Sequence, residues 1–135
     1  MSAPTVDSLR AAAHDYARRG WRVIHVYLYH VTDDGTCSCS CKEGAACRHA
    51  GKHPIGNLWQ ECASRSGVDV EAWWDKRPLS NVGIATGAES GLFVLDVDPD
   101  NGGVDTLAAL EREYGPLPYT RTTRTGSGGK HAYFS

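Results

Sequence analysis

The chain has 135 residues, 41% of them hydrophobic, which supports one domain with its own core and leaves no room for a second full domain. Its net charge of −2 supplies no global attraction to nucleic acid, so any such contact has to rely on local basic residues. The start, Met1 to Ser8, has neither the basic nor the apolar region of a signal peptide, and no run of about 18 apolar residues occurs, which argues against a membrane span and for a cytoplasmic protein.

In chain order, Leu9, Ala12, Ala13, Tyr16 and Ala17 recur at helical spacing and predict a first helix, with Asp7 or Ser8 as N-cap and Gly20 as its end. Arg18 and Arg19 complement the C-terminal end of its dipole. Trp21 to Tyr29 is rich in aromatic and β-branched residues and predicts a strand, with Ile24, Val26 and Leu28 on one face and Val23, His25, Tyr27 and Tyr29 on the other. His25 and His30 read as strand-face residues.

Residues 31–56 show no periodicity, and a loop of that length inside a compact domain needs something to hold it. The chain has five cysteines, an odd number, and four of them fall between Cys37 and Cys47 beside histidines, a pattern of metal binding rather than of disulfides. Thiolate and imidazole ligands suit a closed, tetrahedral structural Zn²⁺. The expected ligands are two of Cys37, Cys39 and Cys41, then Cys47 and His53, with His49 spare, in a zinc-binding loop at about 33–55. Cys62 is expected to be a buried thiol.

Leu58 to Ala63 reads as a short helix or an irregular segment. Asp69 is the expected N-cap of a helix packed through Val70, Trp73 and Trp74 and ending before Pro78, the tryptophans reading as core rather than as a base-stacking platform. Asn81 to Thr86 predicts a strand, and the turn Glu89-Ser90-Gly91 predicts a hairpin-like approach into the next one.

That next strand, Leu92-Phe93-Val94-Leu95-Asp96-Val97-Asp98, is apolar until it ends in two carboxylates, and it is stopped by Pro99-Asp100-Asn101-Gly102-Gly103. Its apolar run predicts burial on both faces. Side chains alternate along a strand, so Asp96 and Asp98 share a face about 6 to 7 Å apart at Cα. Two carboxylates so close repel when both are ionised unless a cation such as Mg²⁺ or Mn²⁺ neutralises them.

Beyond it, Val104 to Tyr114 predicts a helix packing Leu107, Leu110 and Tyr114 on the sheet, stopped by Gly115-Pro116. Tyr119 to Thr125 predicts a strand with Arg121, Thr123 and Thr125 on one face and Thr122 and Arg124 on the other, and one of the two arginines is a candidate for phosphate. The glycine-rich turn Gly126-Ser127-Gly128-Gly129-Lys130-His131 can bring backbone N–H groups to an anion and deliver His131 at a fixed place. His131 reads as a phosphate contact, a proton donor or an ordinary strand residue. The chain stops at Ser135 inside an apparent strand, so the expected domain is truncated.

Taken together and in order, the opening helix and Gly20-Trp21 strand, Gly51-Lys52-His53-Pro54, the Trp73-Trp74 helix, Asn81-Val82-Gly83-Ile84-Ala85-Thr86-Gly87, Leu95-Asp96-Val97-Asp98 and Thr125 to His131 resemble the N-terminal domain of bifunctional DNA primase/polymerases, the prim-pol branch of the archaeo-eukaryotic primase superfamily. The resemblance implies a single α+β catalytic domain over residues 1–135, a mixed sheet packed by helices, C-terminally truncated and with a zinc-binding loop inserted. It implies that Asp96 and Asp98 bind Mg²⁺ or Mn²⁺ for nucleotidyl transfer, and that His131 contacts the triphosphate. Ser127, Gly128, Gly129, Lys130 and Arg124 are the accompanying nucleotide-binding candidates. The partners it implies are nucleoside triphosphates and a DNA template and primer, with a helicase on the same or a separate chain. The family's third acidic motif has no counterpart after His131, and Asp100 and Asp105, on a turn and a helix start, do not replace it.

Two other classes fit the same residues. An Asp-x-Asp after an apolar strand also serves metal-dependent glycosyltransferases that use nucleotide sugars, and without the third acid the chain also reads as a non-catalytic, zinc-stabilised nucleic-acid-binding remnant.

Overall fold

The computed structural model describes residues 5–135, so the first four residues of the Met1 to Ser8 segment lie outside the described residues. Two compact units follow one another along the chain, one ending at Ala85 and one running from Thr86 to Ser135.

The first unit opens with α1 (Val6–Arg18), which buries Leu9, Ala13 and Ala17. Its N-cap is Thr5 rather than Asp7 or Ser8: the Thr5 hydroxyl accepts from the Ser8 amide at 3.1 Å, because a capping oxygen has to precede the first turn to reach that donor. After a reversal at Gly20, β1 (Arg22–Tyr27) pairs antiparallel with β4 (Ser80–Ala85), Arg22 opposite Ala85 and Tyr27 opposite Ser80. Alternation along β1 divides the core. Val23 packs with Ala13, Ala17, Val70 and Trp74 on one side, while Ile24 and Val26 pack with Ala63 on the other.

Val70 and Trp74 come from α3 (Gly67–Lys76), whose N-cap is Ser66 and not Asp69; the Asp69 amide donates to the Ser66 hydroxyl, and the Asp69 carboxylate accepts from Ser64 at 2.6 Å. Arg10 of α1 bridges Glu71 and Asp75 of α3, and His14 meets Glu71 at 2.6 Å, tying the two helices together at the surface.

The strand expected over Trp21 to Tyr29 is divided. β1 ends at Tyr27, and Tyr29–Val31 forms β2, paired with β3 (Cys37–Cys39) inside the segment expected to lack elements. Leu28 is the pivot: its amide donates to the Ser40 hydroxyl and its carbonyl accepts from the Ser40 amide, both at 2.8 Å, so the chain leaves β4 and joins the loop. The short α2 (Trp59–Cys62) follows. Cys62 is exposed rather than buried, because this single turn directs Trp59 and the adjoining Ala63 inward instead.

The second unit is a three-stranded antiparallel sheet in the order β5 (Phe93–Val97), β7 (Lys130–Phe134), β6 (Thr122–Arg124), with α4 (Gly103–Tyr114) between β5 and β6 in sequence. β5 is not covered on both faces. It is an edge strand, Phe93 is 63% exposed, and within it only Val97 is buried. The helix stripe is also displaced: Leu107, Ala108 and Glu111 are half-buried and line a cavity with Val97 and Lys130, whereas Val104, Leu110 and Tyr114 are exposed. The strand expected over Tyr119 to Thr125 shortens to Thr122–Arg124. The hairpin-like approach to β5 is one antiparallel bridge, Gly87 with Leu92, closed around the turn Ala88–Ser90, while β4 itself pairs with β1.

The class is therefore α+β, with three small antiparallel sheets among the described residues in place of one mixed sheet. Among the same residues no helix is long and apolar enough to cross a membrane.

Trp74 is fully buried against Val23 and Val70, so Trp74→Ala should lower unfolding stability by about 3–5 kcal/mol, read as a fall in the urea midpoint.

Candidate functional site

The first unit assembles a cluster of soft ligands. Cys39 ends β3, a bend brings Cys41 back, the turn at Gly44–Ala46 delivers Cys47, and further turns bring His53, whose carbonyl accepts from the Tyr27 amide at 3.1 Å. The three sulfurs and a ring nitrogen of His53 all lie within 4.8 Å of one another, and His53 Nε2 is 3.5 Å from both Cys39 Sγ and Cys47 Sγ. Tetrahedral Zn²⁺, with bonds of about 2.3 Å to sulfur and about 2.0 Å to nitrogen, sets such atoms about 3.5 Å apart. Donor type and spacing therefore fit a metal ion such as zinc.

Cys37 stands outside the cluster. It pairs with Val31 two residues back along β3, and its thiol accepts from the Tyr29 hydroxyl at 2.6 Å. Two residues of strand move a side chain about 6 to 7 Å, too far for a shared ion without a turn such as the one that returns Cys41. His49 is exposed beside the cluster and is not one of its four residues.

The electrostatics of the cluster favour a cation. Burial works against charge on Cys39, but the amides of Cys41 and Gly51, together with His53, outweigh it and hold the thiol down at about 6. Burial pushes the Cys47 thiol up to about 11, and Cys41 and Cys39 add to the rise. One thiolate thus makes the next costly, a repulsion that a divalent ion removes.

The second unit carries carboxylate oxygens. The register of β5 on β7 sets Asp96 opposite His131, with His131 Nε2 3.5 Å from Asp96 Oδ1, and the register of β7 on β6 sets Thr123 on the other side of His131. Tyr133 lies on the same face, its hydroxyl 2.9 Å from Thr123 Oγ1 and its ring edge-on to His131. Asp98 follows the strand in extended conformation and caps the turn Pro99–Asn101: Oδ1 accepts from the Asp100 amide at 3.1 Å and Oδ2 from Asn101 Nδ2 at 2.6 Å. Each of its oxygens keeps a further lone pair.

The glycine-rich turn has a structural explanation of its own. Gly128 adopts φ +85°, and a Cβ on Gly129 would lie 2.5 Å from the Val97 carbonyl oxygen and 2.9 Å from Thr125 Oγ1. Ser127 Oγ lies 3.2 Å from Thr125 Oγ1 at the tip. Lys130 pairs with Val97 and with Arg124, so by strand alternation these two cations share the face opposite Asp96 and His131. The structure thus brings Asp96 and His131 together and sets Arg124 and Lys130 apart from them.

Three contributors escape the sequence reading. Thr123 and Tyr133 flank His131 only because of the register, which periodicity does not reveal. Gly103 lets α4 begin against Asp98, whose backbone oxygen and nitrogen would be 2.7 and 2.8 Å from an added Cβ. The Gly102-Gly103 doublet directly after the acids was its one available signal.

Residues 13–135 match the family model of the bifunctional DNA primase/polymerase N-terminal domain. No curated protein and no solved structure matches the chain.

Cys41→Ser should lose bound zinc to a colorimetric chelator at a concentration that leaves wild type loaded, while Cys37→Ser should behave as wild type. Gly129→Ala should cost about 1–3 kcal/mol in denaturant unfolding, against little change for Gly126→Ala, where the added methyl meets open space.

Proposed function

The chain belongs to the bifunctional DNA primase/polymerase N-terminal family, and from that premise we propose that its second unit carries a site for metal-dependent nucleotidyl transfer from nucleoside triphosphates. The observation that supports this most is the pairing of Asp96 with His131 across β5 and β7 at 3.5 Å, with Asp98 just beyond the strand end.

Hard carboxylate oxygens suit Mg²⁺ or Mn²⁺. Bound there, such ions would neutralise the triphosphate, align the attacking 3′-hydroxyl and stabilise the departing pyrophosphate. Asp96, with its side chain 64% exposed, is the open ligand of this reading, and Asp98 is the one held in orientation by its two hydrogen bonds. His131, with Nε2 3.5 Å from Asp96 Oδ1, is placed to donate a hydrogen bond to a phosphate oxygen. Ser127, Gly128 and Gly129 form the turn that delivers His131 and would lie along the phosphates, while Arg124 and Lys130 start from the opposite face of the sheet. The Cys39, Cys41, Cys47 and His53 set is complete with four protein ligands and leaves no open position, so zinc there organises the loop at about 33–55. The family also carries the expectation that DNA is the second partner.

The test is equilibrium binding of a deoxynucleoside triphosphate with and without Mn²⁺, with a nucleotide sugar alongside. Binding should require the ion, disappear in the Asp96→Ala, Asp98→Ala double variant and weaken about tenfold in His131→Ala, a change of about 1.4 kcal/mol. Triphosphate binding indifferent to both acids, or a preference for the nucleotide sugar, would sink the proposal.

A further inference from the structure

Two cavities of the first unit share a wall. One, of about 520 Å³, opens onto Cys41, Cys47 and His53 of the cysteine cluster and carries Lys42 and Arg77, with Glu43 as its one carboxylate. The other, of about 570 Å³, is mainly apolar and walled by Trp59, Trp73, Ile24 and Ile55, with His25 beside them. Gly56 and Asn57 line both, so the cleft that carries Lys42 and Arg77 and the aromatic pocket adjoin.

Both paired tryptophans pack on the core, but to different depths. Trp74 is fully buried, whereas Trp73 stays half-buried, stacked on His25 at 5.2 Å with the rings 17° from parallel. Trp59 is likewise half-buried. His25 Nδ1 is buried without a hydrogen-bond partner, and burial, helped by the nearby Arg77, lowers the ring's affinity for a proton, so it contributes a neutral aromatic wall. Arg77 itself lies over the Tyr27 ring at 5.9 Å in the first of the two cavities.

Aromatic faces beside a positively charged groove are what an unpaired strand selects: bases stack on the rings, phosphates meet the cations, and the contact tolerates any sequence. A base held within a duplex stack cannot enter such a pocket. We propose that the first unit binds single-stranded nucleic acid, a base entering the pocket against Trp59 and Trp73 and the adjoining phosphate lying against Arg77 and Lys42, with Asn57 at the junction. This deepens the primase/polymerase reading, on which it rests, by giving the template strand a place separate from the nucleotide.

The experiment is fluorescence anisotropy of a short labelled oligothymidylate on the zinc-loaded chain, titrated over a range of salt without added Mg²⁺ or Mn²⁺. Wild type should bind the single strand more tightly than a duplex of equal length. Trp59→Ala should weaken binding about tenfold with an unchanged salt slope, and Trp59→Phe should restore most of it. Arg77→Gln should weaken binding and reduce the slope of log K against log salt by about 0.7, one phosphate contact. Variants that keep the wild-type urea midpoint yet bind as wild type, or a duplex bound as tightly, would overturn the proposal. A wild type that ignores the oligonucleotide but binds Mn²⁺-triphosphate refutes the strand site alone. Oligonucleotide binding without triphosphate binding refutes the nucleotidyl-transfer reading and leaves the strand site standing.

Discussion

With no side chain at position 129, β7 can begin directly against the Val97 carbonyl, and the rest of the second unit's chemistry follows from that contact. From there the antiparallel ladder sets Lys130 opposite Val97 and His131 opposite Asp96. A slip of one residue would turn every side chain of β7 to the other face, exchanging His131 for Lys130 beside the acid. The turn Thr125 to Gly129 therefore selects which side chain of β7 lies beside Asp96, whatever else it touches. Gly103 does the complementary task at the other end of the acidic pair, letting α4 start where Asp98 caps its turn.

How far the sequence could be read depended on whether a feature is local. The spacing of Leu9, Ala13 and Ala17 showed the helix and its inward face, because both are properties of one element. The apolar run before Asp96 showed the strand but not its burial, since an edge position depends on partners far along the chain. Leu110 and Tyr114 misled for the same reason: the half-buried stripe, Leu107, Ala108 and Glu111, includes an acid and an alanine that hydrophobicity alone passes over. Among Cys37, Cys39 and Cys41 the equal spacing held no preference, and the end of β3 decided between them. Trp73 and Trp74 were indistinguishable in sequence and only the helix's orientation separates them.

The two ligand sets differ in kind. Three sulfurs and an imidazole are soft or borderline donors in a closed arrangement, whereas Asp96 and Asp98 offer carboxylate oxygen near an exposed edge. Thiolate-rich sites favour zinc, which the Cys39, Cys41, Cys47 and His53 donors fit, whereas carboxylate oxygens are donors of the kind that harder ions prefer.

The double hydrogen bond between Leu28 and Ser40 has a dynamic consequence. It joins the cysteine hairpin to the end of β1, and the Tyr27 amide to the His53 carbonyl and the Ile55 amide to the His25 carbonyl extend the seam. Segments stitched together in this way open together. Amide exchange in the loop should thus be concerted with exchange at Tyr27 and Leu28, and an ion held by Cys39 and His53 would slow hydrogen exchange along a strand that it never touches.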